Sequence, residues 1–226
     1  MANPSLVVSP LEPDEAPQYM RIRHESFRHD INKILYFNGE PSQKTLDRVT
    51  QDVRNGISKG ILYLKCVDTS TGEMIAGARW EYIRPKDPDA KERTREEIEQ
   101  DLGLGSMYEE SHPEVWNTFF SMLNAAKREH RGTRPHYVLQ TLATLPKHHR
   151  RGAGRLLTQW GCERADEAGV EAFLEASKMG QSLYERFGFV PIREIAIDLK
   201  KWGGQEEIKL MIMRRPAKHE RALGAS

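Results

Sequence analysis

The chain has 226 residues, of which 38% are hydrophobic and 30% charged, with a formal net charge of +1 at pH 7. That length suits one domain carrying an insertion and is enough to bury a core without covalent staples. The near-neutral balance argues against a general nucleic-acid binder, which would carry a clear basic excess. Cys66 and Cys162 lack a CxxC spacing, so neither a disulfide framework nor a zinc site is expected, and reduced thiols suit a cytoplasmic protein. The opening MANPSLVVSP lacks a basic segment followed by a long apolar core, so no signal peptide is expected. No apolar run approaches the ~20 residues needed to cross a bilayer, so no membrane partner is expected. Asn3-Pro4-Ser5 is no glycosylation acceptor, because proline fills its middle position.

In chain order, Leu6-Val7-Val8 reads as a first strand ended by Pro10. A helix is predicted over Asp14 to Arg28, capped by Asp14, and a second from a Ser42 cap through Ile57 with Leu46, Val49 and Val53 on one stripe. Between them Ile34 to Phe37 reads as an apolar patch inside a loop. Ile61 to Val67 and Met74 to Ile83 form a hairpin about the turn Thr69 to Gly72. From residue 84 to 134 the strand signal vanishes. A charged helix over Arg93 to Leu102 and a more apolar one over His112 to Arg128 make this a helical insertion between the third and fourth strands. A strand over His136 to Leu145, a helix over Gly152 to Ala168 stopped by Gly169, and a strand over Glu171 to Ala176 follow. A short helix near Gln181 to Phe187 precedes strands over Val190 to Ile197 and Ile208 to Met213. The polar tail from Pro216 to Ser226 reads as frayed. The whole is mixed α/β, and one domain over 1–226 is expected.

The informative stretch lies where the fourth strand enters its helix. Leu142 to Leu157 passes from an apolar run through Pro146, the basic Lys147, His148, His149, Arg150 and Arg151, and two glycines. A helix start exposes unpaired amides and partial positive charge, and Gly152 and Gly154 leave that backbone bare. With Arg150, Arg151 and Arg155 this predicts a pyrophosphate cradle. It is no Walker A loop, lacking Gly-Lys followed by Ser or Thr, and no dinucleotide fingerprint, because Leu157 replaces the last glycine. His148 and His149 are adjacent without a third ligand at suitable spacing, so no metal is expected.

His149-Arg150-Arg151-Gly152-Ala153-Gly154, followed by Leu183-Tyr184 and Gly188-Phe189, resembles the GCN5-related N-acetyltransferases (GNAT family) in order and spacing. The direct match runs from Tyr137 to Pro191, and the upstream element order is compatible with it. His149 departs from the usual Gln or Arg. Glu175-Ala176-Ser177 departs from a common Asn and looks more like a fungal small-molecule subgroup.

The resemblance implies a splayed mixed sheet flanked by helices, with acetyl-CoA as acyl donor. Its pantetheine would run along Leu142, Ala143 and Thr144, and its diphosphate would lie over His149, Arg150, Arg151, Gly152, Ala153, Gly154 and Arg155, with Ser177 close by. Tyr184 would protonate the departing thiolate. Glu81, working through a water, is the first choice of base. Gln140 and Thr141 are expected on opposite faces of their strand, so at most one meets the substrate, and Thr141 is taken as that one. Tyr36 and Phe37 are expected on the acceptor wall. Plain alternatives stand beside these roles: a half-buried aromatic for Tyr184, a solvated strand residue for Glu81, and core packing for Tyr36 and Phe37. The expected reaction is direct acetyl transfer to a primary amine of a small molecule. Acetylation of a protein N-terminus or lysine and a non-catalytic CoA-binding module are the rivals, and a homodimer is open.

Overall fold

The computed structural model describes residues 5–223, so Met1 to Pro4 of the N-terminal reading and the last three residues of the tail lie outside the described part. In chain order the elements are β1 (Leu6–Pro10), α1 (Ala16–Ser26), α2 (Asn32–Leu35), α3 (Gln43–Ser58), β2 (Leu62–Asp68) and β3 (Glu73–Ile83). Then come α4 (Arg95–Asp101), α5 (Pro113–His130), β4 (His136–Thr144), α6 (Ala153–Glu167), β5 (Glu171–Ala176), α7 (Gln181–Glu185), β6 (Val190–Asp198), β7 (Glu207–Arg215) and α8 (Lys218–Leu223). The strands form one sheet in the order β1-β2-β3-β4-β5-β7-β6. Only β4 and β5 run parallel; every other neighbouring pair is antiparallel. Among the described residues no helix is long and apolar enough to cross a membrane.

Each face of this sheet is covered by helices. On one face, Ala76, Ala78 and Trp80 of β3, Leu139 of β4 and Leu174 of β5 pack against Leu157, Cys162 and Ala165 of α6. Gly161 lets α6 approach closely: a Cβ there would lie 2.1 Å from Trp80 Cε2. The opposite face is covered in two parts. Tyr19 and Met20 of α1, with Val49 and Val53 of α3, cover the β2–β4 side. Val115, Phe119, Leu123 and Ala126 of α5 cover Ile195, Ile197, Ile208, Leu210 and Ile212 of β6 and β7. The helical segment between β3 and β4 is therefore part of the core. A sheet this wide needs a third helix on that face, and α5 supplies it.

Several local expectations need correction. Asp14 does not cap α1; a 3-10 turn over Pro13–Glu15 precedes it, and Glu12 and Glu15 cap that turn reciprocally. The patch Ile34 to Phe37 is not simply a loop, since Asn32–Leu35 forms the short α2 with Ile34 fully buried. The charged helix starts after Arg93, because Thr94 and Glu97 form a capping box. The tail is ordered through α8, where Arg221 pairs with Asp166, itself bonded to Arg215 by two 2.7 Å contacts. Cys66 and Cys162 are free and buried, and burial pushes their thiols up to about 11 and about 12.

Candidate functional site

The β4–β5 pairing begins at His136↔Glu171 and ends at Leu139↔Leu174. Beyond Leu139, β4 continues to Thr144 beside β3 alone, leaving its other edge open. The two strands part there, forming a slot in which Gln140 to Ala143 have no partner on β5. Leu142 and Ala143 are held in register by Ala78 and Gly77 of β3. The Thr144 carbonyl accepts from Ser26 Oγ at 2.9 Å and from His149 Nε2 at 3.0 Å.

The slot leads to the start of α6. Arg150 has φ 62°, the one left-handed non-glycine among the described residues, and Gly152 follows with φ 104°. Left-handed backbone is the kind from which concave anion nests are built. The first-turn amides of α6 add donors without intrahelical acceptors. Open space surrounds Gly152. Gly154 is different: a Cβ there would meet Leu183 Cδ2 at 3.3 Å and Leu142 Cδ2 at 3.5 Å, so its bareness lets α6 approach α7 and β4. Ala153 is buried under the loop. Arg150 and Arg155 are exposed and make no ion pair among the described residues. Arg151, expected at the phosphate, turns away: its guanidinium binds the buried Asp68 and donates to His148 Nδ1 at 2.8 Å. Glu73 joins the same brace through Lys147 (2.7 Å) and His148 (3.1 Å). The residues present thus suit a coenzyme diphosphate, with Arg151 stiffening the loop from behind.

Tyr184 sits on α7, buried in the same cluster as Ala176 and packed edge-on against Phe189 at 6.1 Å between ring centroids. Burial drives its phenol well above the usual range, so it stays protonated at neutral pH. Ser177 follows β5 where the strands part, and its carbonyl accepts from the amides of Gly180 and Gln181 at 3.0 and 3.1 Å.

On the face covered by α1 and α5, polar groups gather between the two apolar clusters. Glu81 Oε2 accepts from Arg79 at 3.1 Å and from Gln140 Nε2 at 3.0 Å. The expectation that Gln140 and Thr141 point to opposite faces fails. The ladder pairs Arg79↔Thr141 and then Trp80↔Leu139, so Gln140 is the extra residue of a β-bulge. The bulge cancels one alternation. Gln140 joins Arg79 and Glu81, while Thr141 stands beside the hydroxyl of the buried Tyr19. Tyr36 is 7% exposed and packs with Tyr108 and Trp116, with its hydroxyl near Arg23. Phe37 meets His112 edge-on at 5.3 Å between ring centroids and packs against the α5–β6–β7 cluster, so core packing describes it better than an acceptor wall.

Other residues of this site carry no sequence motif. Arg131 pairs with Glu175 on β5. Burial works to raise the Glu175 pKa, but the charges of Arg131 and Lys127 outweigh it and hold the carboxyl below the usual range. Burial lowers Lys127, with Glu175 opposing. His136 is 1% exposed, and burial drops it to about 4, so it is neutral at pH 7.

The family model described as "Acetyltransferase (GNAT) family" matches residues 73–189. The fold is similar to that of mosquito arylalkylamine N-acetyltransferase like 5b, with TM-score 0.63 and 18% identity over 94% of this chain and 100% of that one. It is also similar to a histone acetyltransferase HPA2-related protein from Corynebacterium glutamicum, with TM-score 0.56 and 22% identity over 94% and 97% of the two chains. The PaiA N-acetyltransferase of Thermoplasma acidophilum, solved in complex with coenzyme A, aligns with TM-score 0.51 and 14% identity over 94% and 99%.

Proposed function

Because the chain belongs to the GNAT family of acyl-CoA-dependent N-acetyltransferases, we propose that it transfers an acetyl group from acetyl-CoA directly to a primary amine of a small molecule. One observation carries this reading: the edge of β4 that opens beyond Leu139 and runs into the bare first turn of α6. Main-chain groups of Leu142, Ala143 and Thr144 line the slot for the pantetheine arm. The amides of Gly152, Ala153 and Gly154, with Arg150 and Arg155, form the seat for the diphosphate. When bound, acetyl-CoA supplies the activated acyl group. Amides at the β4 bulge are available to polarise the acyl carbonyl.

The protein's own groups handle the protons. An amine near the lysine pKa is only about one part in 10³ neutral at pH 7, so a base must help. Glu81 is fixed by Arg79 and Gln140 beside the bulge and takes that proton through a water. Tyr184, protonated and desolvated, gives its proton to the departing sulfur. Direct transfer needs no covalent intermediate on the enzyme. Solved relatives of this fold include an agmatine N-acetyltransferase and the Drosophila melanogaster polyamine N-acetyltransferase, which supports a small amine as acceptor. The test is acetyl-CoA with a broad panel of amines, read by release of free thiol. Turnover with at least one small amine is expected; tight CoA binding with no thiol release from any of them would overturn the reading.

A further inference from the structure

A cavity of about 180 Å³ opens on the sheet face under α4 and α5, lined among others by Arg79, Glu81, Lys127, Arg131, His136 and Gln140. Its charges do not balance. Arg93 is matched by Asp101, Arg79 by Glu81 and Arg131 by Glu175, while Lys127 makes no direct ion pair among the described residues. His136 contributes no charge at pH 7. The Nε atoms of Arg79 and Arg131 are buried without a hydrogen-bond partner. Donors buried without an acceptor destabilise the fold, and a cation drawn partly out of water needs a counter-charge. Two orphaned guanidinium donors and the half-buried ammonium of Lys127, which has no ion-pair partner among the described residues, therefore belong to residues around one small space.

We propose that this cavity takes the carboxylate of the acceptor, so that the preferred substrates are amino acids or other amines carrying a carboxylate a few bonds from the nitrogen. The inference rests on the acetyltransferase reading above and names the substrate class for that same site. The surplus is one cation, which matches a carboxylate monoanion better than a phosphate dianion. The charges are also ordered in space. Glu81 and Gln140 lie on the strands, next to the bulge where the slot begins, and attract an ammonium. Lys127 from the last turn of α5 and Arg131 from its C-cap attract the carboxylate, leaving the amine directed at the slot. A polyamine would bring a second cation against Lys127 and is disfavoured. The cavity has room for a carboxylate and its neighbouring carbons.

Matched acceptors test this with the full-length protein and acetyl-CoA: phenylalanine against phenethylamine, tyrosine against tyramine, and each amino acid against its amide. The carboxylate member should show kcat/KM higher by about tenfold or more, as a charge-assisted contact gives. Lys127→Met should bring the ratio toward one, mainly through KM, with CoA affinity unchanged; Lys127→Arg should keep it. Equal or better turnover of the decarboxylated amines, or a ratio indifferent to Lys127→Met, overturns the proposal. If no acceptor turns over, the acetyltransferase reading fails and calorimetry decides this one. Amino acids titrated into CoA-saturated protein should bind with a carboxylate dependence that Lys127→Met removes, and absence of any such binding overturns it.

Discussion

The indole of Trp80 lies against Gly161 so closely that a single added Cβ would sit 2.1 Å from its ring. The ring cannot step aside, because its Nε1 donates to the Leu157 carbonyl at 3.1 Å and the residue is fully buried. Gly161→Ala must therefore push α6 off the sheet. A loss of about 1–3 kcal/mol is expected, which at about 2–4 °C per kcal/mol for a chain of this size shows in a thermal melt. An unchanged Tm would mean that the helix can retreat at no cost.

Asp68 should link the phosphate loop to acid stability. The hydrogen bonds of Ser70 and Arg151 hold its carboxyl down at about 2. A depressed carboxyl contributes stability above its unfolded pKa of about 3.9, and that contribution is lost as pH falls toward 2. Asp68→Asn should flatten the fall of Tm between about pH 4 and pH 2 and weaken CoA binding by loosening Arg151. A Tm profile parallel to wild type would count against the link.

Tyr184→Phe separates chemistry from binding. Removing the acid should lower kcat by about 10²-fold or more, while CoA affinity by titration stays within about twofold, since the phenyl ring keeps the packing against Phe189. Unchanged turnover would return Tyr184 to a packing role.

Glu81→Gln keeps a side chain of the same shape and loses the base. The ratio of wild-type to variant kcat/KM should be large at neutral pH and shrink as pH rises toward the amine's own pKa, where the substrate arrives neutral. A ratio independent of pH would place the base elsewhere.

Gly154→Asp should weaken CoA by about tenfold or more, because it brings an anion to the helix start and presses a side chain against Leu183 and Leu142. Unchanged affinity would move the diphosphate away from this turn.

The sequence was most readable where one local rule governs. The seven strands, the long helices and the loop at Gly152 follow from periodicity and glycine placement. Gln140 was misread because a bulge leaves no mark in a strand's composition; it appears only in the pairing with Arg79 and Trp80. Arg151 looked like a phosphate ligand because its partner, Asp68, is 83 residues away. The Glu175–Arg131 pair was hidden for the same reason, although a glutamate inside an apolar strand and cations spaced four apart at residues 127 and 131 were visible traces of it. Helix α8 depends on Asp166, a long-range anchor that no local propensity reports.

Helix α5 and the residue that caps it carry one row at four-residue spacing, running Val115, Phe119, Leu123, Lys127 and then Arg131 at the C-cap. Three of them grip β6 and β7, and the row then turns cationic as it reaches the cavity. A new acceptor chemistry could therefore be written at residue 127 while Arg131 keeps its pair with Glu175 and the greasy part of the helix keeps its hold. On this scaffold, changing what is acetylated need not endanger the scaffold itself.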